Sequence, residues 1–220
     1  MKKYRNVQFY TRLVYYFVGI IFLAVGLTLN TKTLLGASPI ISVPYTISCI
    51  WDLNFGNLTF IFYALFVAAQ FVIRGKNRRM SDLLQIPFSI VFTRFLNLFS
   101  IWISIVPQNL VQKLLILLVT IICTGIGVAL TVNMNLITNP GDGIVQAIAE
   151  KIGKEMGFTK NIVDFICLII SCTIGLVFAG KATVGIGLGS VIAMIGVGRV
   201  VALFNYLLKE KMAVKAGLTQ

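Results

Sequence analysis

Two arginines, Arg94 and Arg199, stand deep inside stretches that are otherwise almost wholly apolar. A planar guanidinium fork suits a carboxylate, phosphate or sulfonate held through two parallel hydrogen bonds. Burying it unpaired at the centre of a membrane helix costs about 2.5–3.5 kcal/mol on insertion scales, so each arginine needs a partner or an aqueous cavity. On one reading the pair faces a single central site and grips an anionic group. On the other, each snorkels or binds loop carbonyls and serves only to hold the helices together. Helical spacing puts Asn97 three residues after Arg94, on a shared face, and lines Gly185, Gly189 and Gly196 along much the same side of the last apolar stretch. Asn205, six residues past Arg199, points away.

Further polar residues gather at breaks in the apolar pattern. Ser38-Pro39 and Asn139-Pro140-Gly141-Asp142 each precede a short helix, where Ser or Asn caps free N–H groups and the helix N-terminus favours an anion. A plain surface turn competes with that reading, most of all for the second motif, because Asp142 repels an anion. Asp164 is the only acid inside an expected span. It could neutralise an arginine or take part in proton coupling, but the favoured position is the interface, beside Lys160 four residues earlier. Tyr45, Gln70, Thr93 and Ser190 are the remaining polar groups suited to line a site.

Chemistry of this kind needs a membrane around it. The 220 residues are 58% hydrophobic and 12% charged, with a mean hydropathy of +0.92, against roughly 25% charged in soluble domains. Six runs approach the ~20 apolar residues that cross a bilayer, at about 13–30, 58–73, 84–105, 114–133, 161–179 and 185–207. Two shorter segments, 39–50 and 141–157, open at or just after a proline and read as re-entrant or interfacial half-helices. The basic start resembles a signal peptide, but the run from Leu13 to Leu29 lacks a clear cleavage site and reads as a retained span. A net charge of +12 is scattered over short connections, which argues against nucleic acid. Cys49, Cys123, Cys167 and Cys172 sit in apolar stretches and histidine is absent, so neither a metal site nor a cofactor is expected. No nucleotide-binding loop, nucleophile elbow or zinc-protease helix occurs, and no enzymatic activity is expected.

The chain repeats itself. Shifted by 101, residues 25–30 fall on 126–131, Ser38-Pro39 on Asn139-Pro140, and Phe55-Gly56 on Met156-Gly157; later the shift is 105, bringing Gly75-Lys76 onto Gly180-Lys181 and Arg94 onto Arg199. Residues 1–108 and 109–220 therefore read as two membrane repeats of one domain. Three spans per half make the second repeat inverted. With six spans and cytoplasmic N- and C-termini, fourteen basic residues lie inside and only Lys32, Lys113 and Lys181 outside. If the half-helices also crossed, that bias would fall to eleven against six. The expected fold is thus an all-α polytopic membrane protein of six transmembrane helices in two inverted three-helix repeats, each with a short re-entrant or interfacial helix.

The segments Leu35-Gly36-Ala37-Ser38-Pro39, Pro44-Tyr45 and Asn139-Pro140-Gly141-Asp142-Gly143 resemble the YczE/YitT-type family of small bacterial membrane proteins, as do Lys160 with Asp164, Gly185-x-Gly187-x-Gly189-Ser190 and Gly198-Arg199. The resemblance implies a multi-pass protein of the bacterial cytoplasmic membrane and supplies no substrate. Function is read from the residues: a secondary transporter, or a channel, for a small anionic or zwitterionic solute bound near the midplane between the repeats. The expected site is Arg94, Arg199, Ser38, Pro39, Tyr45, Asn97, Asn139, Pro140, Gly189 and Ser190, with Asp164 as a coupling or ion-pairing group. A substrate-capturing subunit of a vitamin-type importer and a regulatory or assembly protein are the alternatives. Expected partners are the lipid bilayer, the solute and, left open, a second copy of the chain as a homodimer.

Overall fold

The computed structural model describes residues 2–218. The side chains of residues 2–6 and 156 lie outside that description, and with them the expected cytoplasmic placement of Lys2, Lys3 and Arg5. Among the described residues there are helices and turns and no strand. Helix α1 spans Lys2–Lys32. A single 3-10 turn, Pro39–Ile41, leads into α2, Ser42–Trp51, and α3 spans Phe55–Arg74. Helices α4, Gln85–Trp102, and α5, Leu110–Asn133, follow; then come α6, Pro140–Ile152, α7, Met156–Ala179, and α8, Leu188–Lys215. Six helices are long and apolar enough to cross a membrane, and the chain is a multi-pass membrane protein. They coincide with the six expected spans; the two short helices are α2, with its 3-10 lead, and α6.

Boundaries differ from expectation where backbone chemistry intervenes. The segment expected as 141–157 stops at Ile152, because Gly153 takes the left-handed conformation (φ 63°) and its N–H closes back on Ala149. Helix α8 starts at Leu188 rather than 185, since Gly185 sits at φ 73° and Gly187 is extended. Helix α4 ends at Trp102, three residues early, with Pro107 a few residues beyond. Asparagine side chains start three helices: Asn54 accepts from Asn57 N–H on α3, Asn109 from Gln112 N–H on α5, and Asn139 from Gly141 N–H on α6.

Helix boundaries recur at a fixed shift along the chain. First-half boundaries at Lys32, Pro39, Trp51 and Phe55 recur at Asn133, Pro140, Ile152 and Met156, each 101 residues on. Left-handed residues recur at the same shift, Leu34 with Asn135 and Asp52 with Gly153. Helices α1 and α5 run antiparallel at the centre of the bundle, and glycines set their separation. A Cβ on Gly26 would strike Thr124, and one on Gly127 would come within 2.5 Å of the Leu23 backbone nitrogen. Gly26 and Gly127 are counterparts at the 101 shift, so the contact is reciprocal.

Each half-helix begins near the middle of a full span. Asn139, capping α6, bonds Tyr63, the ninth residue of the 20-residue α3. Ser42, opening α2, bonds the carbonyl of Cys167, the twelfth of 24 residues in α7. From there α6 runs to the C-terminal end of α3, where Glu150 meets Arg74, while α2 runs to the C-terminal end of α7, where Thr46 bonds the Val184 carbonyl at 2.9 Å. The halves are not packed equally. Helix α4 packs on both α3 and α1, whereas its counterpart α8 packs on α5 and barely touches α7, leaving most of its surface exposed.

Enlarging Gly127 should force α1 from α5. Gly127→Val is expected to lose about 1–3 kcal/mol to overpacking, read as a lower unfolding temperature in detergent. Gly157→Ala, whose added Cβ meets nothing within 4 Å, should leave that temperature unchanged.

Candidate functional site

Polar side chains converge where the two half-helices start. Proline at the first position of each suits a helix beginning there, since its missing N–H has no intrahelical partner to lose. The starts touch: a Cβ on Gly141 would come within 2.8 Å of Ile40. Asn139 serves both directions, its carbonyl oxygen accepting from Gly141 N–H at 2.8 Å and its amide donating to the Tyr63 hydroxyl at 3.3 Å. Ser38 does not match it, because its side chain makes no capping bond. Instead the backbone around Ser38 is held by the second half: Ala37 N–H donates to Gly185 O at 2.9 Å, and Gly189 N–H to Leu35 O at 2.8 Å.

One face of α7 carries the polar stripe Lys160, Asp164, Cys167 and Ser171, at steps of four, three and four. Lys160 Nζ lies 3.5 Å from Asp164 Oδ2 and 3.8 Å from Asp142 Oδ1 in the first turn of α6. Thus one ammonium bridges two carboxylates. Asp164 is 3% exposed, and its second oxygen, Oδ1, is buried without a hydrogen-bond partner. Deeper along the stripe, the Ser171 hydroxyl donates to Ser42 at 2.7 Å, tying α7 to the start of α2. The sequence favours Asp164 paired with Lys160 at the interface; the pair is present, but Asp142 joins it and the acid is buried.

A second network closes the end of the bundle at which α3 stops. Gln70 and Gln85 exchange amide hydrogen bonds at 3.0 Å each, and Gln70 also donates to Pro140 O at 3.4 Å. Gly143 makes room for that pair, since a Cβ there would lie 2.7 Å from Gln70 Oε1. The buried Arg74 pairs with Asp82 and, at 3.1 Å, with Glu150 of α6, which also accepts from Arg79 at 2.8 Å. Arg12 donates to the carbonyls of Met134 and Asn135, just past the end of α5.

Arg94 and Arg199 are not part of either network. Both are exposed on outer faces of the bundle, and among the described residues neither forms a hydrogen bond or an ion pair. Helices α4 and α8 do not pack on each other, so the two guanidiniums do not share a cavity. Asn97 packs on Gly56, Tyr45 donates to Thr31 O at 3.2 Å, and Ser190 Oγ accepts from Gly187 N–H at the start of α8. Of the expected residues, Pro39, Asn139, Pro140 and Asp164 lie at the meeting of the half-helices; Gly189 and Ser190 brace the Leu35 turn. Gln70 and Thr93 are buried, Gln70 in the amide pair. Lys160, Asp142, Ser42 and Ser171 were missed as site residues. The helical spacing of the polar stripe on α7 was the available signal.

Six spans with two half-helices meeting inside them define a multi-pass helical membrane protein with a broken-helix centre. Residues 10–206 match the model of a family of unknown function, DUF6198, and the chain belongs to that family. No curated protein and no solved structure matches it.

The buried and the exposed arginines should respond differently to truncation. Arg74→Ala leaves Asp82 without its arginine and Glu150 with Arg79 alone, and should cost about 3–5 kcal/mol of stability. Arg94→Ala and Arg199→Ala should each shift the unfolding transition far less, measured in the same detergent.

Proposed function

We propose that this protein is a secondary transporter for a small anionic or zwitterionic solute, bound where the half-helices α2 and α6 meet between two inverted repeats. The observation that carries the reading is the contact of Ile40 with Gly141, which brings two helix N-termini together at mid-span. Helix N-termini carry partial positive charge and free N–H groups, the arrangement that holds an anionic group in broken-helix transporters. Asp142 and Asp164 beside them offer negative charge for an ammonium group, which favours a zwitterion over a simple anion. The antiparallel α1–α5 pair, its reciprocal glycine contacts and the shared boundaries at a shift of 101 support residues 1–108 and 109–220 as inverted halves. Unequal packing of α4 and α8 fits a carrier, because in an inverted pair exchanging the two arrangements would open the opposite face.

The bundle end that gathers Arg12, Arg74, Arg79 and Lys160 is assigned to the cytoplasm by the excess of basic residues there. The likeness to YczE/YitT-type proteins adds the bacterial cytoplasmic membrane to this reading. No covalent chemistry is assigned to the protein.

Purified protein should gain thermal stability from at least one member of a panel of amino acids, carboxylates, phosphates and sulfonates. Asn139→Leu should remove that gain, while Arg94→Gln and Arg199→Gln should keep it. If no compound stabilises the wild type, or if the outward arginines prove essential for binding, the site is misplaced. Topology has its own check in a cysteine-free background. A cysteine at Asn77 should react with impermeant reagent only after the cells are opened, and one at Ser104 should react in intact cells.

A further inference from the structure

We propose that Asp164 is a proton-binding site, taking up and releasing a proton at its unpartnered oxygen Oδ1. Among the described residues Lys160 is the one cation within reach of both Asp142 and Asp164, so with all three ionised the cluster carries one uncompensated negative charge. Asp164 Oδ1 meets that charge with nothing: it is buried, and no donor reaches it. Among the described residues the other side-chain atoms buried without a partner belong to Thr28, Asn30, Thr120 and Thr124, all neutral groups of α1 and α5. Of the seven acids in the chain, Asp82 and Glu150 are held by arginines, whereas Asp164 keeps a buried oxygen with no partner.

Apart from the ammonium group of a bound solute, two species could satisfy that oxygen. A hard metal cation gathers six or more oxygen ligands, and no group of three or more metal-ligating side chains exists among the described residues. Lys160 Nζ already stands between the two carboxylates. A proton needs a single oxygen and no further coordination, so it is the species the geometry admits. Uptake forms one O–H bond at Oδ1 with a proton delivered by water and takes the cluster from one negative charge to none. In this proposal the proton arrives past Lys160, whose side chain is about one-third exposed, one helical turn before Asp164. Charged and titratable groups facing the acid are Lys160 and Cys167 on α7 and Asp142 on α6. On α3, Tyr63 faces the Asn139 cap. Helix α2 presents the Ser42 hydroxyl rather than an acid or base. The use of this proton to drive solute movement rests on the transport reading; its binding does not.

The test is infrared pH-difference spectroscopy of the full chain in liposomes, following the carboxylic-acid C=O band. Wild type should show a band that rises and falls with pH, and Asp164→Asn should lose it. In Asp142→Asn and Lys160→Met the midpoint should move in opposite senses, by about one pH unit or more, because one variant removes a negative neighbour and the other a positive one. These two variants keep Asp164, so the proposal remains testable if Asp164→Asn does not fold. A full band in Asp164→Asn, no titrating band in wild type, or an unmoved midpoint in both neighbour variants would overturn it. The solute panel separates the two readings. A titrating Asp164 with no stabilising solute leaves the proton site and removes the transporter. A stabilising solute with no Asp164 band does the reverse.

Discussion

A helix that starts inside hydrocarbon leaves its first N–H groups in a medium that offers them nothing, and each such group would cost several kcal/mol if left bare. Helices α2 and α6 both start among buried protein side chains, beside the middle of a long apolar helix, where the same cost applies. The chain meets the cost with two different solutions. In the second half a single side chain, Asn139, caps Gly141 and at the same time fastens the helix start to Tyr63. In the first half Ser38 leaves the cap unmade, and the turn before α2 is secured by backbone bonds to Gly185 and Gly189 across the repeat boundary. The centre of the protein therefore exists only when both halves are present. Neither half-helix has a complete set of partners within its own repeat.

That dependence explains why glycines concentrate at the junctions. A side chain on Gly36, Gly187 or Gly189 would collide with the backbone or side chain of the opposing turn, and Gly36 and Gly185 also take the left-handed conformation. In a bilayer, close approach of this kind replaces the hydrophobic drive that water would supply, since lipid tails are as apolar as the helices themselves. The α1–α5 crossing uses the same device through Gly26 and Gly127. Around this close-packed pair the outer helices are held unequally. Helix α4 is locked to α3 by Gln70–Gln85, and the turn before α4 by Arg74–Asp82. At the counterparts of the glutamines stand Ser171, turned to α2, and Ser190, turned to its own helix start. The break in symmetry is thus written in the side chains: the polar groups that close one outer pair are spent elsewhere in the other.

Much of this was legible in the sequence. The six spans, the proline-opened short helices and the 101-residue shift follow from apolar run length and from the positions of proline and glycine, which act through local backbone preference. Helix ends were less well placed, at Gly153 and Gly185 most clearly, because a left-handed glycine stops a helix that composition alone would continue. Asn139 was found by its place before a proline, and Ser38 was expected to do the same work but did not. Capping depends on where the side chain can reach once the turn is built, and the first-half turn is built against the other repeat.

The arginines show where such reading stops. In a soluble protein the apolar face of a helix marks the core, so a charge opposite it points to water. A transmembrane helix is apolar on both faces, and Arg94 and Arg199, identical in their repeat position, carry no sign of which face is lipid. Both point outward, where a long stem can run along the helix and bring the guanidinium toward the headgroups at lower cost than an unpaired burial. A lone charge is therefore a poor compass in a membrane span. A stripe is a better one. Lys160, Asp164, Cys167 and Ser171 repeat at helical spacing along α7, and four polar groups on one face cannot all be left against hydrocarbon. That face must meet protein or water, and in this fold it meets the starts of both half-helices.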